Sequence, residues 1–353
     1  MKRILNIITV ITATFATSCI DNDYLKEVNT DFKTNYEVFW TYFNENYCFF
    51  GDNYGYTKNV DWKAVYDEMM PKVEAAQTEL ELLDIMVESI KPLKDGHNWI
   101  DTKFAHRGCD TFHKDENGVD YPKNFISSEV IREKYTDYLF KTRNGHRYGL
   151  ITRDDKKFFY LFHSDFTKEL KNEDIEMFQP LIAQANGFIY DIRTNPGGRA
   201  QLSLDIAGRF VKEKTFVGYE VVKTGKGYND VSEPLPLHVV PQKDGISWAD
   251  VKTVVLTNRD VYSTANMFAA YMKQLPNVTL VGGITGGGGG EPTSFYLPNG
   301  WTVTMSAHRM SLDVNKVHIE PGVQPDIPVT ITPEDEANKV DSILEKAIEV
   351  LSE

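Results

Sequence analysis

The chain has 353 residues, 41% of them hydrophobic and 12% aromatic, and its 51 acidic side chains outnumber 38 basic ones for a net charge of −13. That length accommodates one large domain or two modest ones around a sizeable core, and the aromatic content excludes a chain too polar to fold. The acidic balance offers no basic patch to neutralise phosphates, so no nucleic-acid partner is expected.

The first residues read as an address rather than as part of the fold. Lys2 and Arg3 precede an apolar run from Ile4 to Thr17, which is too short to span a bilayer and has the layout of a signal peptide. The small residues Ala16-Thr17-Ser18 then lead to Cys19. The pattern resembles a bacterial lipoprotein signal, although Ala16 stands where a larger aliphatic residue is usual. The resemblance implies cleavage after residue 18, lipidation of Cys19 and a lipid-anchored place in the bacterial cell envelope, periplasmic or surface exposed. Loss of residues 1–18 takes Lys2 and Arg3 with it and moves the net charge from −13 to −15. Residues 19–30 read as a polar tether. The other two cysteines, Cys48 and Cys109, carry no framework signature, which leaves a disulfide between them open. No CxxC or HExxH spacing occurs, so neither a metal nor another cofactor is expected.

Residues 31–100 read as a helical N-terminal domain. Phe32, Tyr36, Phe39, Trp40 and Phe43 recur at spacings of three and four, which gives one face of a helix an aromatic core stripe. A second helix starts at Asp61 and should be interrupted at Pro71. A third opens on Thr78-Glu79-Leu80-Glu81, a capping box, and should end near Pro92.

Residues 101–353 read as one core domain with a C-terminal helix. From about residue 147, β-rich runs alternate with helices: strands at Gly149–Thr152, Phe158–His163, Gly187–Ile192, Thr253–Thr257 and Val278–Val281, and helices at Glu169–Ala185, Leu202–Phe210 and Ser263–Gln274. This alternation predicts an α/β layered core. Phe295 to Val303 reads as a hairpin turning at Asn299-Gly300, and Thr332-Pro333 caps a final helix through Leu351.

Four segments can carry chemistry. Ser263 opens a helix after a buried strand, where its hydroxyl can be exposed beside backbone amides that would receive an oxyanion; the plainer reading is an N-cap bonded to the Asn266 amide. No GxSxG surrounds it. Asp191 to Arg199 ends another strand with Gly197-Gly198, whose backbone can approach a ligand closely or form an ordinary turn. Asp95-Gly96-His97 places an imidazole at a turn, as a base or a surface residue. The run Gly282 to Gly290 lacks the Lys-Ser/Thr of a phosphate loop and suits a flexible rim over a pocket.

Together, Asp95-Gly96-His97, Asp191 to Gly198, Ser263-Thr264-Ala265, Gly283-Ile284-Thr285-Gly286 and Gly322-Val323-Gln324-Pro325-Asp326 follow one order. That order resembles the serine peptidases of the C-terminal-processing and tricorn-core family across roughly residues 90–330. The resemblance implies a crotonase-like (ClpP/crotonase) α/β core and a nucleophile at Ser263. In the processing branch an activating lysine follows 25 residues later, where Gly288 stands here, and no lysine occurs between Lys273 and Lys316. The tricorn-like branch implies His97 as base and Glu320 as the residue orienting it, with the amides of Gly197, Gly198 and Thr264 as oxyanion donors. Gly96 replaces a serine that often precedes that histidine. The gap between His97 and the strand near Gly149 is too short for a PDZ domain. A peptide or protein substrate is therefore expected; the rival readings are a catalytically silent peptide- or glycan-binding lipoprotein on the same fold and an acyl-CoA enzyme.

Overall fold

The computed structural model describes residues 31–51, 60–109, 114, 118–136 and 138–353; the expected signal peptide, Cys19 and the tether lie outside them. Three helices form the front. Helix α1 (Phe32–Asn46) begins where Asp31 accepts the Thr34 amide at 2.8 Å, and its stripe of Tyr36, Phe39 and Phe43 is fully buried. Helix α2 (Trp62–Ala75) is tied to it by reciprocal bonds in which the indole N–H groups of Trp40 and Trp62 each donate to the other's carbonyl. Pro71 does not interrupt α2. A proline removes one amide donor, and Met69, Met70 and Val73 around it hold the helix through core packing. Helix α3 (Glu79–Ile90) carries the expected capping box between Thr78 and Glu81 and ends in a 3₁₀ turn, Lys91–Leu93, that contains Pro92.

Beyond the front come β1 (Trp99–Asp101), β2 (His106–Gly108), α4 (Ser128–Lys134), β3 (Phe140–Lys141), β4 (Arg147–Arg153), β5 (Lys156–Phe162), α5 (Asn172–Ile182), β6 (Gly187–Asp191) and α6 (Ala200–Ala207). The chain continues with β7 (Thr215–Val221), β8 (Leu235–Val239), β9 (Thr253–Thr257), α7 (Thr264–Lys273), β10 (Val278–Gly282), β11 (Gly290–Tyr296), β12 (Thr302–Leu312), β13 (Ile327–Pro328), α8 (Pro333–Asn338) and α9 (Ser342–Ser352).

Seven strands form one sheet in the order β13-β10-β9-β6-β5-β4-β3, parallel from β13 to β5 and antiparallel beyond. Parallel strands are covered on both faces, and side chains alternate accordingly. Phe159, Leu161, Phe188, Tyr190 and Val255 meet α5, α6 and α7 on one face; Phe158, Tyr160, Ile189, Val254 and Leu256 meet α4 and α9 on the other. An antiparallel sheet in the order β2-β1-β12-β7-β8, with β11 also on β12, backs the front helices through Phe295, Val303 and Met305. The molecule is thus a mixed α/β fold of two sheets with covering helices.

Three local expectations change. The helix expected over Glu169–Ala185 is the shorter α5. The final helix is two, α8 and α9, broken at Lys339 (φ 55°) because Asp341 caps α9 while its carboxylate binds Arg193. In the β11–β12 turn only Gly300 takes positive φ, so the connection is longer than a two-residue turn, which would need Asn299 there as well.

Candidate active site

The buried strand β9 delivers the chain to a tight segment before α7. Ser263 there adopts φ 55°, ψ −126° and makes no side-chain cap bond. A serine in that region is strained, and three main-chain bonds hold it: the Ser263 amide donates to Gly287 O at 2.8 Å, the Tyr262 amide to Asn195 O at 3.1 Å, and the Met267 amide to Ser263 O at 3.0 Å. The N-cap bond to Asn266 is not formed. Instead Ser263 Oγ lies 3.0 Å from His97 Nε2.

His97 follows the 3₁₀ turn that ends α3, with Lys94 left-handed at φ 51°. Its amide donates to Asp95 Oδ1 at 2.8 Å, and its ring packs against Tyr262 with centroids 5.0 Å apart. The side chain is 7% exposed. Burial pushes the imidazole below its ordinary pKa, against the opposing pull of the Asp95 carboxylate. A neutral ring accepting at Nε2 carries its proton on Nδ1. Nδ1 makes no protein hydrogen bond, and it stands 4.0 Å from Asp95 Oδ1.

After β6 the chain turns through Asn195-Pro196-Gly197-Gly198 beside the serine. Gly197 has φ 101°, and a Cβ there would lie 2.8 Å from Thr264 N and 2.9 Å from Ser263 Cβ, so only glycine permits this approach. The Thr264 hydroxyl donates to Gly198 O at 2.7 Å. The expected Gly197 donor is already engaged: its amide donates to Asn195 Oδ1 at 2.9 Å, while Asn195 Nδ2 donates to His163 O at 2.9 Å. Behind the turn, Arg193 is buried with Asp191 and Asp341, at 2.7 and 2.9 Å.

Glu320 lies in the same buried cluster without a hydrogen bond to the His97 ring. Its Oε2 accepts the Gly289 amide at 2.5 Å. Burial, and then the Asp95 carboxylate, push its carboxyl well above the usual range, against the amides of Gly289 and Gly290. Of the two routes open from the sequence, direct or through an intermediate hydroxyl, the direct contact is not formed: Glu320 bonds the glycine run, and Gly96 supplies no hydroxyl to bridge the two.

The glycine run itself corrects another expectation. Residues 285–290 are buried, not a flexible rim. A Cβ on Gly287 would overlap the Glu320 carbonyl, and one on Gly288 (φ 79°) would lie 2.7 Å from the Tyr262 ring and 2.9 Å from Ser263 N. The position matching the activating lysine is thus filled by Tyr262. Cys48 and Cys109 are buried and are not bonded to each other. No group of three His, Cys, Asp or Glu that could hold a metal ion is found among the described residues. A cavity of about 160 Å³ lined by His163, Leu170, Ile206 and Arg209 lies off this cluster.

The motifs quoted from the sequence thus converge, except that Asn195, Tyr262 and Asp95 had been given no roles. Asp95 stands two residues from His97, and Asn195 two residues before Gly197; Asx side chains bond amides at that spacing, a signal that could have found both.

The fold and the site together are those of serine-dependent hydrolases. A family model described as Peptidase family S41 matches residues 158–329, and one described as Tricorn protease C1 domain matches residues 28–91. A candidate peptidase from Parabacteroides merdae, known by crystal structure, is 35% identical with a TM-score of 0.80, covering 92% of this chain and 97% of that one. The chain belongs to peptidase family S41, a family of serine peptidases. Carboxyl-terminal-processing proteases from Picosynechococcus sp. and Synechocystis sp. are 30% and 28% identical over 49% and 46% of this chain; the matches span 40% and 36% of those proteins. Mature CPAF complexed with lactacystin shares the fold at a TM-score of 0.68 and 11% identity, over 91% of this chain and 97% of that one.

Proposed function

We propose that the protein is a serine peptidase of the bacterial cell envelope, tethered through a lipid on Cys19, that hydrolyses peptide bonds with Ser263 as nucleophile and His97 as base. The observation that carries this reading is the 3.0 Å approach of His97 Nε2 to Ser263 Oγ. A hydroxyl is a weak nucleophile until a base takes its proton, and a neutral imidazole does so near neutral pH. The depressed basicity of His97 supports the neutral form.

In the proposed cycle, Ser263 Oγ bonds to the scissile carbonyl carbon as its proton passes to His97 Nε2. The carbonyl oxygen becomes an anion facing the amides of Gly198 and Thr264. Gly197 is assigned instead to holding the turn through Asn195. The C–N bond then breaks as His97 returns the proton to the leaving amine. Water, deprotonated by the same imidazole, attacks the acyl ester, releases a carboxylate and restores Ser263. Glu320 supports the site from beside it, fixing the backbone at Gly289. The relatives named carboxyl-terminal-processing proteases support a protein substrate cut near its C-terminus.

The test is labelling by a fluorophosphonate together with peptide hydrolysis. Ser263→Ala should abolish the label and lower kcat on the order of 10⁴-fold or more, and His97→Ala should do nearly the same. Labelling and turnover that survive Ser263→Ala would overturn the reading. Tight peptide binding with no labelling of the unaltered protein would favour a silent binding module instead.

A further inference from the structure

Asp95 and Glu320 are two buried carboxyl groups beside one buried imidazole, and a Ser–His mechanism needs a single anion there. Their surroundings differ. Asp95 is fully buried beneath the end of α1. Its Oδ1 accepts the His97 amide at 2.8 Å, its Oδ2 accepts the Tyr47 hydroxyl at 3.0 Å, and Oδ1 is 4.0 Å from His97 Nδ1. The bond to the His97 amide alone is an ordinary Asx turn. A turn does not account for the Tyr47 hydroxyl, which reaches the second oxygen from 48 residues away. Glu320 faces the other way, onto Gly289.

Resting on the peptidase reading above, we propose that Asp95 is the positioning residue of the site: it carries the negative charge that holds the Nδ1–H tautomer of His97 and stabilises the imidazolium, while Glu320 serves as a neutral acid that supports the glycine run. Two carboxylates in one dry site cannot both ionise without penalty. The geometry divides the roles, with Asp95 Oδ1 the carboxyl oxygen near Nδ1 and Glu320 turned onto Gly289, and the upward push on Glu320 from burial and from Asp95 acts in the same sense. Asp95 also serves a second end. The Tyr47 bond ties the end of α1 to the loop after α3 that carries His97.

The other groups around the pair leave the pH range between 4 and 8 clear. Burial pushes the Tyr47 phenol and the Cys48 thiol, both just past α1, well above their ordinary values. Arg259, which acts on Glu320, and Arg309 of β12, which acts on Cys48, stay charged throughout. Tyr262 before α7 contributes ring packing.

The deciding experiment is an NMR titration of the His97 ring in the full chain and in two variants, a readout that does not require turnover. Asp95→Asn should lower the His97 pKa by about one unit or more, because the anion favouring the charged ring is gone. Glu320→Gln should leave it within a few tenths of a unit. In peptide hydrolysis, Asp95→Asn should lower kcat/KM on the order of 10²-fold or more and move the acid limb of the pH profile to lower pH, and Asp95→Glu should recover part of the loss. A merely structural Asp95 would lower the rate with the limb unmoved. Should Asp95→Asn fail to fold, the titration of Glu320→Gln decides alone: an unchanged His97 pKa supports the assignment, and a lowered one overturns it. Absence of fluorophosphonate labelling at Ser263 would sink the peptidase reading separately, without touching the titration.

Discussion

Gly288 offers the sharpest test of which base this chain can use. At the matching place the processing branch has its lysine, so Gly288→Lys is the substitution that would convert one mechanism into the other. The geometry opposes it twice. A side chain at φ 79° costs about 1–2 kcal/mol for backbone strain, and a Cβ 2.7 Å from the Tyr262 ring and 2.9 Å from Ser263 N adds an overpacking cost of about 1–3 kcal/mol. The total, about 2–5 kcal/mol, corresponds to a fall in Tm of roughly 3–7 °C for a chain of this size. Gly300 provides the control, since it has φ 84° and no atom within 4 Å of the added Cβ. Gly300→Ala should therefore show the backbone cost alone, and Gly288→Ala should exceed it by the overpacking cost. Differential scanning fluorimetry reads both. Gly288→Lys should also lose fluorophosphonate labelling, because the strain is transmitted to the Ser263 amide. The reasoning is refuted if Gly288→Ala is no less stable than Gly300→Ala, or if the double variant Gly288→Lys/His97→Ala hydrolyses peptide at near the unaltered rate.

Other consequences can be checked in the same preparations. Arg193→Met leaves the carboxylates of Asp191 and Asp341 buried without their shared cation and should cost about 3–5 kcal/mol, read as a lowered denaturant midpoint at unchanged slope; a loss under 1 kcal/mol would show the network to be incidental. Asn195→Ala removes the side chain that holds the Gly197 amide and the His163 carbonyl and should lower kcat by roughly 10- to 100-fold with little change in KM, since the turn affects the developing oxyanion rather than substrate capture; a change confined to KM would contradict that. Burial holds His163 and His318 down to about 3. Their folded pKa values lie below the unfolded one, so the stability they contribute is complete above about pH 6.5 and is lost as pH falls toward 3, roughly 2 kcal/mol each by pH 5. Glu320 acts in the opposite sense, its raised pKa relieving a cost as pH falls, so urea unfolding at pH 7.5 and pH 5 is best compared in Glu320→Gln; equal stabilities there would refute the assignment.

The sequence was legible where a single physical pattern acted alone. The aromatic stripe of α1, the capping box of α3 and the continuous apolar run of β9 each follow from spacing or propensity, and each is found where it was expected. Pro71 was misjudged because sequence punctuation registers the lost donor but not the core packing of Met69, Met70 and Val73. The single C-terminal helix was misjudged because Asp341 answers to Arg193, 148 residues away, and no local pattern contains that partner. The site shows the same division. Ser263 and His97 were singled out through motif order and lie side by side, but the strain on Ser263, the commitment of the Gly197 amide and the turning of Glu320 toward Gly289 depend on contacts between distant segments. The glycine run looked flexible because glycine lacks side chains; in the fold that same lack lets the backbones of Tyr262, Ser263 and Glu320 close on it.

The separation of 166 positions between His97 and Ser263 also sets when in folding the two can meet. A chain emerging N-terminus first exposes the imidazole long before the serine exists, and Glu320, which anchors the glycine run under that serine, follows later still. Contacts this distant in sequence form late in folding, after their loop-closure entropy has been met. An incomplete or unfolded copy therefore lacks the contact between Ser263 and His97. Completion of the fold is thus what brings the two side chains together.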